Sequence, residues 1–258
     1  MNFRRPSLAA AACVASLLVL IAGCDKDKKG VVPPAELVDL KPTLAVQKLW
    51  DTGVGGGGEK LRLALGLALD GGVLYTAARD GEVIALDPAS GRAKWSQDTK
   101  ADLAAGPGVG ASLVAVGTSD GKVIALDVAS GKVLWQASVS SEVLSAPLVT
   151  GDRVIVRSVD GRVHALDALT GKSQWTGEEP VPKLSLRGTA PPVLAKDNVI
   201  AGFDSGKVIA FALATGDIVW QAQVTTPGGR SELARLADVY SAVQVDGNYG
   251  FAAGFQGR

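Results

Sequence analysis

Short apolar runs separated by polar, glycine-bearing turns recur along this chain at a nearly constant interval. Residues 80–95 read DGEVIALDPASGRAKW and residues 120–135 read DGKVIALDVASGKVLW. Further copies follow at 160–175, DGRVHALDALTGKSQW, and at 204–220, DSGKVIAFALATGDIVW. Aligned on Gly81, Gly121, Gly161 and Gly206, the steps are 40, 40 and 45 residues, and Gly257 sits where a fifth anchor would fall. All five tryptophans, Trp50, Trp95, Trp135, Trp175 and Trp220, close a copy or, for Trp50, a partial one. A fixed period of this length marks a repeat architecture.

Within a copy, Val83-Ile84-Ala85-Leu86 is too short for a helix and rich in β-branched residues, which predicts a strand. A second turn, Asp87 to Gly91, leads to another strand ending in Trp95. Upstream apolar segments such as Val73–Ala77 and Arg153–Val156, preceded by patches such as Ser145–Val149, bring the count to about four strands per repeat. That is the size of a propeller blade. The predicted fold is all-β: a β-propeller of four-stranded antiparallel blades, of the eight-bladed type, with four to five blades in this chain. Continuous apolarity in the third strand, rather than alternation, implies cover on both faces. Small Ala85, Ala125, Ala165 and Ala210 let neighbouring blades approach, and each Trp fills the space between them. A tryptophan buries on the order of 200 Å², which at roughly 25 cal/mol per Å² is several kcal/mol per blade as an upper bound. One blade cannot bury its faces alone, so the unit repeats.

The N-terminus follows a different pattern. Arg4 and Arg5 precede an apolar stretch from Leu8 to Ile21, which closes on Leu20-Ile21-Ala22-Gly23-Cys24. The stretch is too short to span a bilayer comfortably. It resembles the lipobox of bacterial lipoproteins, which implies cleavage before Cys24 and diacylation of its sulfur; the alternative is an ordinary secretory leader. The expected organisation is a signal peptide over 1–23, a charged, proline-bearing tether over 24–47 and a partial propeller over 48–258. Without the leader the chain carries 24 Lys+Arg against 26 Asp+Glu, and this near neutrality argues against nucleic acid as a partner. Cys13 leaves with the leader, so with Cys24 lipidated the mature chain has no disulfide and relies on blade packing.

Chemistry-bearing motifs are few. In GVGGGGEK, 53–60, Glu59 stands where a phosphate loop requires Lys and Leu61 supplies no hydroxyl, so a rim loop is expected instead. His164, the single histidine, occupies the slot of Ile84, Ile124 and Ile209 and is expected at a half-buried strand position. Asp87, Asp127 and Asp167 fall one per blade, as turn-capping residues rather than a paired acid and base. No second His or Cys is present outside the leader region for a metal site, and no cofactor or small-molecule substrate is expected.

Two connections are longer than the others. From Trp95 to Ala105 and from Trp135 to Ser145 the interval is ten residues, whereas from Trp175 to Thr189 it is fourteen and from Trp220 to Ser241 twenty-one. Insertions at equivalent places in adjacent repeats emerge on one rim, often the binding rim. The first holds Leu184-Ser185-Leu186-Arg187, which in extended form places both leucines on one side beside an arginine; the second, Ser231 to Val239, is long enough for about two helical turns. An apolar pair with an Arg suits an interface anchor. The residues alone leave open whether the leucines face a partner or tuck the loop onto its own blade.

The spacing Ala85/Asp87/Gly91/Trp95, repeated at 125/127/131/135 and 165/167/171/175, resembles the tryptophan-docking repeat of quinoprotein-type propellers; Ala212 replaces the Asp in the fourth copy. Joined to the lipobox, KLSLRGTAPP at 183–192 and SELARLADV at 231–239, these repeats resemble the BamB family, lipoprotein subunits of the outer-membrane β-barrel assembly machinery. The likeness covers about the first two thirds of such a protein. It implies a non-catalytic scaffold on the periplasmic face of the outer membrane, docking on the POTRA region of the barrel-forming subunit through Leu184, Leu186, Arg187 and Asp238. Where the family often has a second acid, two residues after that Asp, this chain has Tyr240. Asp25 directly after Cys24 raises inner-membrane retention as an alternative destination. A quinone-dependent dehydrogenase and a generic propeller that adds partner strands to its edges are the competing expectations. Because Phe255–Arg258 reads as the start of a strand and Trp50 as the last strand of a blade begun elsewhere, the expectation is a truncated chain whose ring does not close.

Overall fold

The computed structural model describes residues 36–39, 41, 43–56, 58, 63, 65–187 and 190–255. The expected signal peptide over 1–23, Cys24, Asp25 and Gly257 lie outside the described residues. Lys48–Arg258 form one compact unit. Its first sheet contains β1 (Leu67–Asp70), β2 (Val73–Ala77), β3 (Glu82–Leu86) and β4 (Ala93–Asp98). The second contains β5 (Gly108–Gly110), β6 (Leu113–Gly117), β7 (Lys122–Asp127) and β8 (Val133–Ser138). The third contains β9 (Leu148–Val149), β10 (Arg153–Arg157), β11 (Arg162–Asp167) and β12 (Ser173–Glu178), and the fourth β13 (Val193–Ala195), β14 (Asn198–Gly202), β15 (Lys207–Ala212) and β16 (Ile218–Gln223). Each is a four-stranded antiparallel meander in sequence order. A hairpin of β17 (Gln244–Asp246) and β18 (Tyr249–Phe251) begins a fifth unit. These are successive blades of an incomplete β-propeller.

The first strands of consecutive blades lie beside one another, β1 by β5 and β5 by β9, so the first strand of each blade is the inner one and the fourth the outer. Meander topology then assigns the turns. Those joining first to second and third to fourth strands share one rim, whereas second-to-third turns and the connections between blades share the other.

The apolar run in each third strand serves two interfaces. Val123 and Ala125 of β7 join a core with Val154, Val156 and Leu166 of the third blade, while Ile124 and Leu126 point the other way, into a core with Val83, Ala85 and Tyr75 of the first. The pattern repeats with Val163 and Ala165 against Ile209 and Phe211. A strand that is apolar at every position therefore has one core on each face.

The tryptophans lock these layers. Trp50 donates its indole N–H to Pro88 O at 2.9 Å, Trp95 to Val128 O at 3.0 Å, Trp135 to Ala168 O at 2.8 Å and Trp175 to Leu213 O at 2.9 Å. Every acceptor belongs to the third-to-fourth turn of the following repeat, and the ring lies flat against that turn's glycine. A Cβ on Gly91, Gly131, Gly171 or Gly216 would sit 2.4 to 2.6 Å from the indole, and all four have left-handed φ between +68° and +79°. No other L residue satisfies both demands. Trp50 docks in this way although its segment is not a strand. Trp220, 41% exposed, is the one tryptophan without such a turn among the described residues.

The turn aspartates act as the pattern predicts. Asp87 Oδ1 accepts from the Ser90 N–H and hydroxyl, both at 2.8 Å, and Asp127 and Asp167 do the same with Ser130 and Thr170. These bonds, chiefly the hydroxyl one, hold all three carboxyls below the usual range. With Ala212 in the fourth copy the cap is lost, but the Gly216 N–H still donates to Ala212 O at 2.8 Å and the turn keeps its shape.

His164 corrects one expectation. It is buried rather than half-buried, at 7% exposure, because the connection preceding its blade closes over it. Nε2 lies 3.1 Å from both Ser140 Oγ and Ser158 Oγ, and Nδ1 3.4 Å from Thr176 Oγ1. These hydroxyls supply the polar partners that the Ile of the other copies does not need.

Candidate docking site on the rim

The connections between blades run along the rim that also carries the second-to-third turns, and three of them interlock there. The interlocking three are those of Glu142, of Leu184–Arg187 and of Asp238. An acid followed by a buried apolar residue recurs in three of the connections, as Asp102-Leu103, Glu142-Val143 and Asp238-Val239. The Val143 N–H donates to Thr118 O at 3.1 Å and the Val239 N–H to Phe203 O at 3.1 Å, so the eleven-residue insertion returns the chain to the same anchor.

What the acids do differs from one connection to the next. Asp102 pairs with Arg79 at 3.2 Å. Glu142 Oε1 accepts from Arg187 Nη2 at 2.6 Å, and its other oxygen from the Ser141 hydroxyl. The Ser141 contact first and its own backbone N–H next, with Arg187 adding, hold the Glu142 carboxyl below the usual range. Asp238 turns inward, and its Oδ1 accepts from the Leu186 N–H at 2.6 Å.

Asp238 therefore corrects the inventory of partner-facing residues. Its exposure is 0%, so it presents nothing to a partner and instead ties the second insertion to the first. Burial raises its pKa, with Asp204 adding to the rise and the Leu186 N–H opposing it. Asp204 itself forms a buried pair with Arg157 at 2.7 Å, and the Arg157 guanidinium lies 5.4 Å from the Phe203 ring. Arg157 occupies the strand position of Ala77, Gly117 and Gly202, making this polar cluster a feature of the third and fourth blades alone among the repeats described.

Leu184 and Leu186, by contrast, stand out from the surface at 44% and 45% exposure. The loop is not a strand; it bends at Lys183–Leu184 and reaches Arg187 with a left-handed φ of +56°. Arg187 is exposed while its guanidinium holds Glu142. The second insertion forms one 3₁₀ turn, Leu233–Arg235, rather than two helical turns. Downstream bonds stop the helix: Leu236, Ala237 and Val239 are buried, and Asp238 and Val239 are committed to Leu186 and Phe203. Tyr240, in place of a second acid, is exposed.

The glycine segment near residues 53–60 has no phosphate-binding character in its described part. The Gly55 and Gly56 N–H groups donate to Glu82 Oε2 and Asp80 Oδ2, at 2.9 and 2.5 Å, and two carboxylates at those amides repel an anion.

A family model described as outer membrane protein assembly factor BamB matches residues 46–104 and 79–258. The chain belongs to the BamB family. The BamB of Pseudomonas aeruginosa is 48% identical over 247 residues, covering 96% of this chain and 65% of its own length. That of Alkalilimnicola ehrlichii is 50% identical over 258 residues, covering 100% and 66%. The chain thus spans just under two thirds of the length of these BamB relatives. The crystal structure of Moraxella catarrhalis BamB superposes with a TM-score of 0.70 at 30% identity, covering 76% of this chain and 59% of its own. A quinohemoprotein alcohol dehydrogenase from Pseudomonas putida HK5, at 23% identity and a TM-score of 0.51, shares the fold alone; it covers 65% of this chain and 35% of its own.

Sequence reasoning missed Glu142. The signal that finds it is the acid preceding the tucked apolar residue: Asp102 and Glu142 fall at the same distance after Trp95 and Trp135, and Asp238 joins them once its repeat is aligned from the following blade.

Proposed function

We propose that this chain is a non-catalytic, lipid-anchored scaffold for outer-membrane β-barrel assembly, docking through the Leu184–Arg187 loop on the POTRA region of the barrel-forming subunit. The observation that carries this is the pair Leu184 and Leu186, held exposed on a loop tied to the connections on both sides of it. A free loop would turn its leucines inward, since each buried Leu gains on the order of 2 kcal/mol. A loop clamped with its leucines outward is preorganised for a partner. Arg187 rims the pair, and Asp238 supports it from beneath. The relatives' name supplies the process, assembly of outer membrane proteins. The lipid anchor is Cys24, with the propeller on the periplasmic face of the outer membrane; fractionation separates this from retention at the inner membrane through Asp25.

No observation favours the dehydrogenase reading beyond the shared fold. The test is capture of the barrel-forming subunit by the lipoprotein, with Leu184, Leu186 and Arg187 changed together to Ala, or to Glu. Capture falls at least tenfold if the loop is a central anchor, because hot-spot truncations cost about 2 kcal/mol or more. Undiminished capture by a folded triple variant removes the site.

A further inference from the structure

The Leu184–Arg187 loop is fixed at two points, and the point on the Glu142 side has no structural need to exist. The Glu142 backbone is rigid: the Val143 N–H donates to Thr118 O at 3.1 Å and the Val159 N–H to Glu142 O at 3.0 Å. From that base the carboxylate spends one oxygen on Ser141 and aims the other at Arg187 Nη2, 2.6 Å away and 45 residues on in sequence. Arg187 has few other constraints. Its backbone is left-handed, its N–H donates to Ser185 Oγ at 3.3 Å, and its side chain is more than half exposed. An ion pair this exposed adds little to folding stability, because solvent screens it and ordering two long side chains offsets the attraction. Its effect falls instead on the conformation of Arg187 before a partner arrives.

We propose that Glu142 is a positioning residue of the docking site: it holds the Arg187 guanidinium in place beside Leu184 and Leu186, so that the partner does not have to order it. The proposal rests on the docking role given above. Its partner surface is one that accepts a fixed cation flanked by two leucines, an apolar patch edged by a carboxylate or by backbone carbonyls. Ordering one long, rotamer-rich side chain at an interface reduces affinity about two- to tenfold, and this is the margin Glu142 supplies.

The test is a double-mutant cycle in the full-length lipoprotein, titrated in detergent onto the immobilised barrel-forming subunit. Thermal unfolding of each variant is measured alongside. Glu142→Ala weakens binding about two- to tenfold with an unchanged melting temperature, and Glu142→Gln, which keeps an oxygen acceptor for Arg187, recovers part of the loss. In an Arg187→Ala background, Glu142→Ala changes nothing further, because its effect passes through the guanidinium. Equal or tighter binding by Glu142→Ala overturns the proposal, as do additive losses. The Leu184→Ala/Leu186→Ala variant serves as reference. If it binds normally, the docking role itself fails and Glu142 falls with it; if it loses binding while Glu142→Ala does not, only the positioning role is refuted.

Discussion

Replacing Gly171 by Ala puts a methyl group where the Trp135 indole lies. The added Cβ would meet Trp135 Cε3 at 2.6 Å, Cδ2 at 2.8 Å and Cζ3 at 3.2 Å, and the residue would have to keep a φ of +69°. Left-handed backbone costs a non-glycine residue about 1–2 kcal/mol, and forcing a ring out of a tight contact adds about 1–3 kcal/mol. The ring cannot retreat freely, since its N–H is held by Ala168 O at 2.8 Å. The expected loss is about 2–5 kcal/mol, with a urea midpoint lower by roughly 1 M or more. Tryptophan fluorescence during equilibrium unfolding reads it, and the native-state emission shifts as the indole is displaced. Gly151→Ala is the control: no atom lies within 4 Å of its Cβ. In a Trp135→Ala background the steric part of the Gly171→Ala loss vanishes and only the backbone part remains. If Gly171→Ala and Gly151→Ala unfold at the same midpoint, the docking of each indole on the next repeat's turn does not hold the blades together.

Three further outcomes follow from buried polar groups. Asp238→Ala leaves the Leu186 N–H without its acceptor and costs about 1–3 kcal/mol, whereas Asp238→Asn keeps an oxygen at that place and stays close to the parent; amide exchange at Leu186 distinguishes them. Asp204→Ala strips a buried charge from Arg157 and costs about 3–5 kcal/mol by denaturant unfolding, well above the loss from removing an exposed pair such as Lys122–Asp120. His164 gives a pH dependence: burial first, with Arg162 adding and Asp160 opposing, holds its pKa below the ordinary value. The unfolded imidazole takes up a proton near pH 6.5 and the folded one resists it. Stability is therefore full above about pH 6.5 and declines as pH falls below it towards the folded pKa. His164→Ile, the residue of three other copies, flattens that part of the curve.

The repeating parts of the fold are legible in the sequence because every copy meets the same surroundings. Ala85, Ala125, Ala165 and Ala210 all stand opposite their Trp in the register, and a bulge follows each of them, so one local pattern encodes one local geometry four times. What the period does not contain is the direction of docking. Four of the tryptophans bond a turn 33 to 38 residues later, and only the three-dimensional structure shows that the ring docks on this turn of the next blade. Departures from the repeat are harder still. Arg157 stands in a slot otherwise held by Ala or Gly, and nothing in its own repeat points to Asp204 of the neighbouring blade as its partner. Asp238 reads as a surface acid, and its equivalents Asp102 and Glu142 do reach solvent; its own burial depends on a loop 52 residues away. Loop length points to the segment that holds the leucines and the family resemblance singles them out, but their exposure depends on tethers that no local pattern records.

The most direct measurement is photocrosslinking in intact cells from a benzophenone side chain placed at Leu186, compared with one placed at Leu169. Leu169 is 88% exposed, but it sits on a third-to-fourth turn and therefore on the opposite rim. A crosslink to the barrel-forming subunit from 186 and none from 169 is the predicted result. Capture of that subunit from 169 with none from 186 would contradict the rim assignment outright.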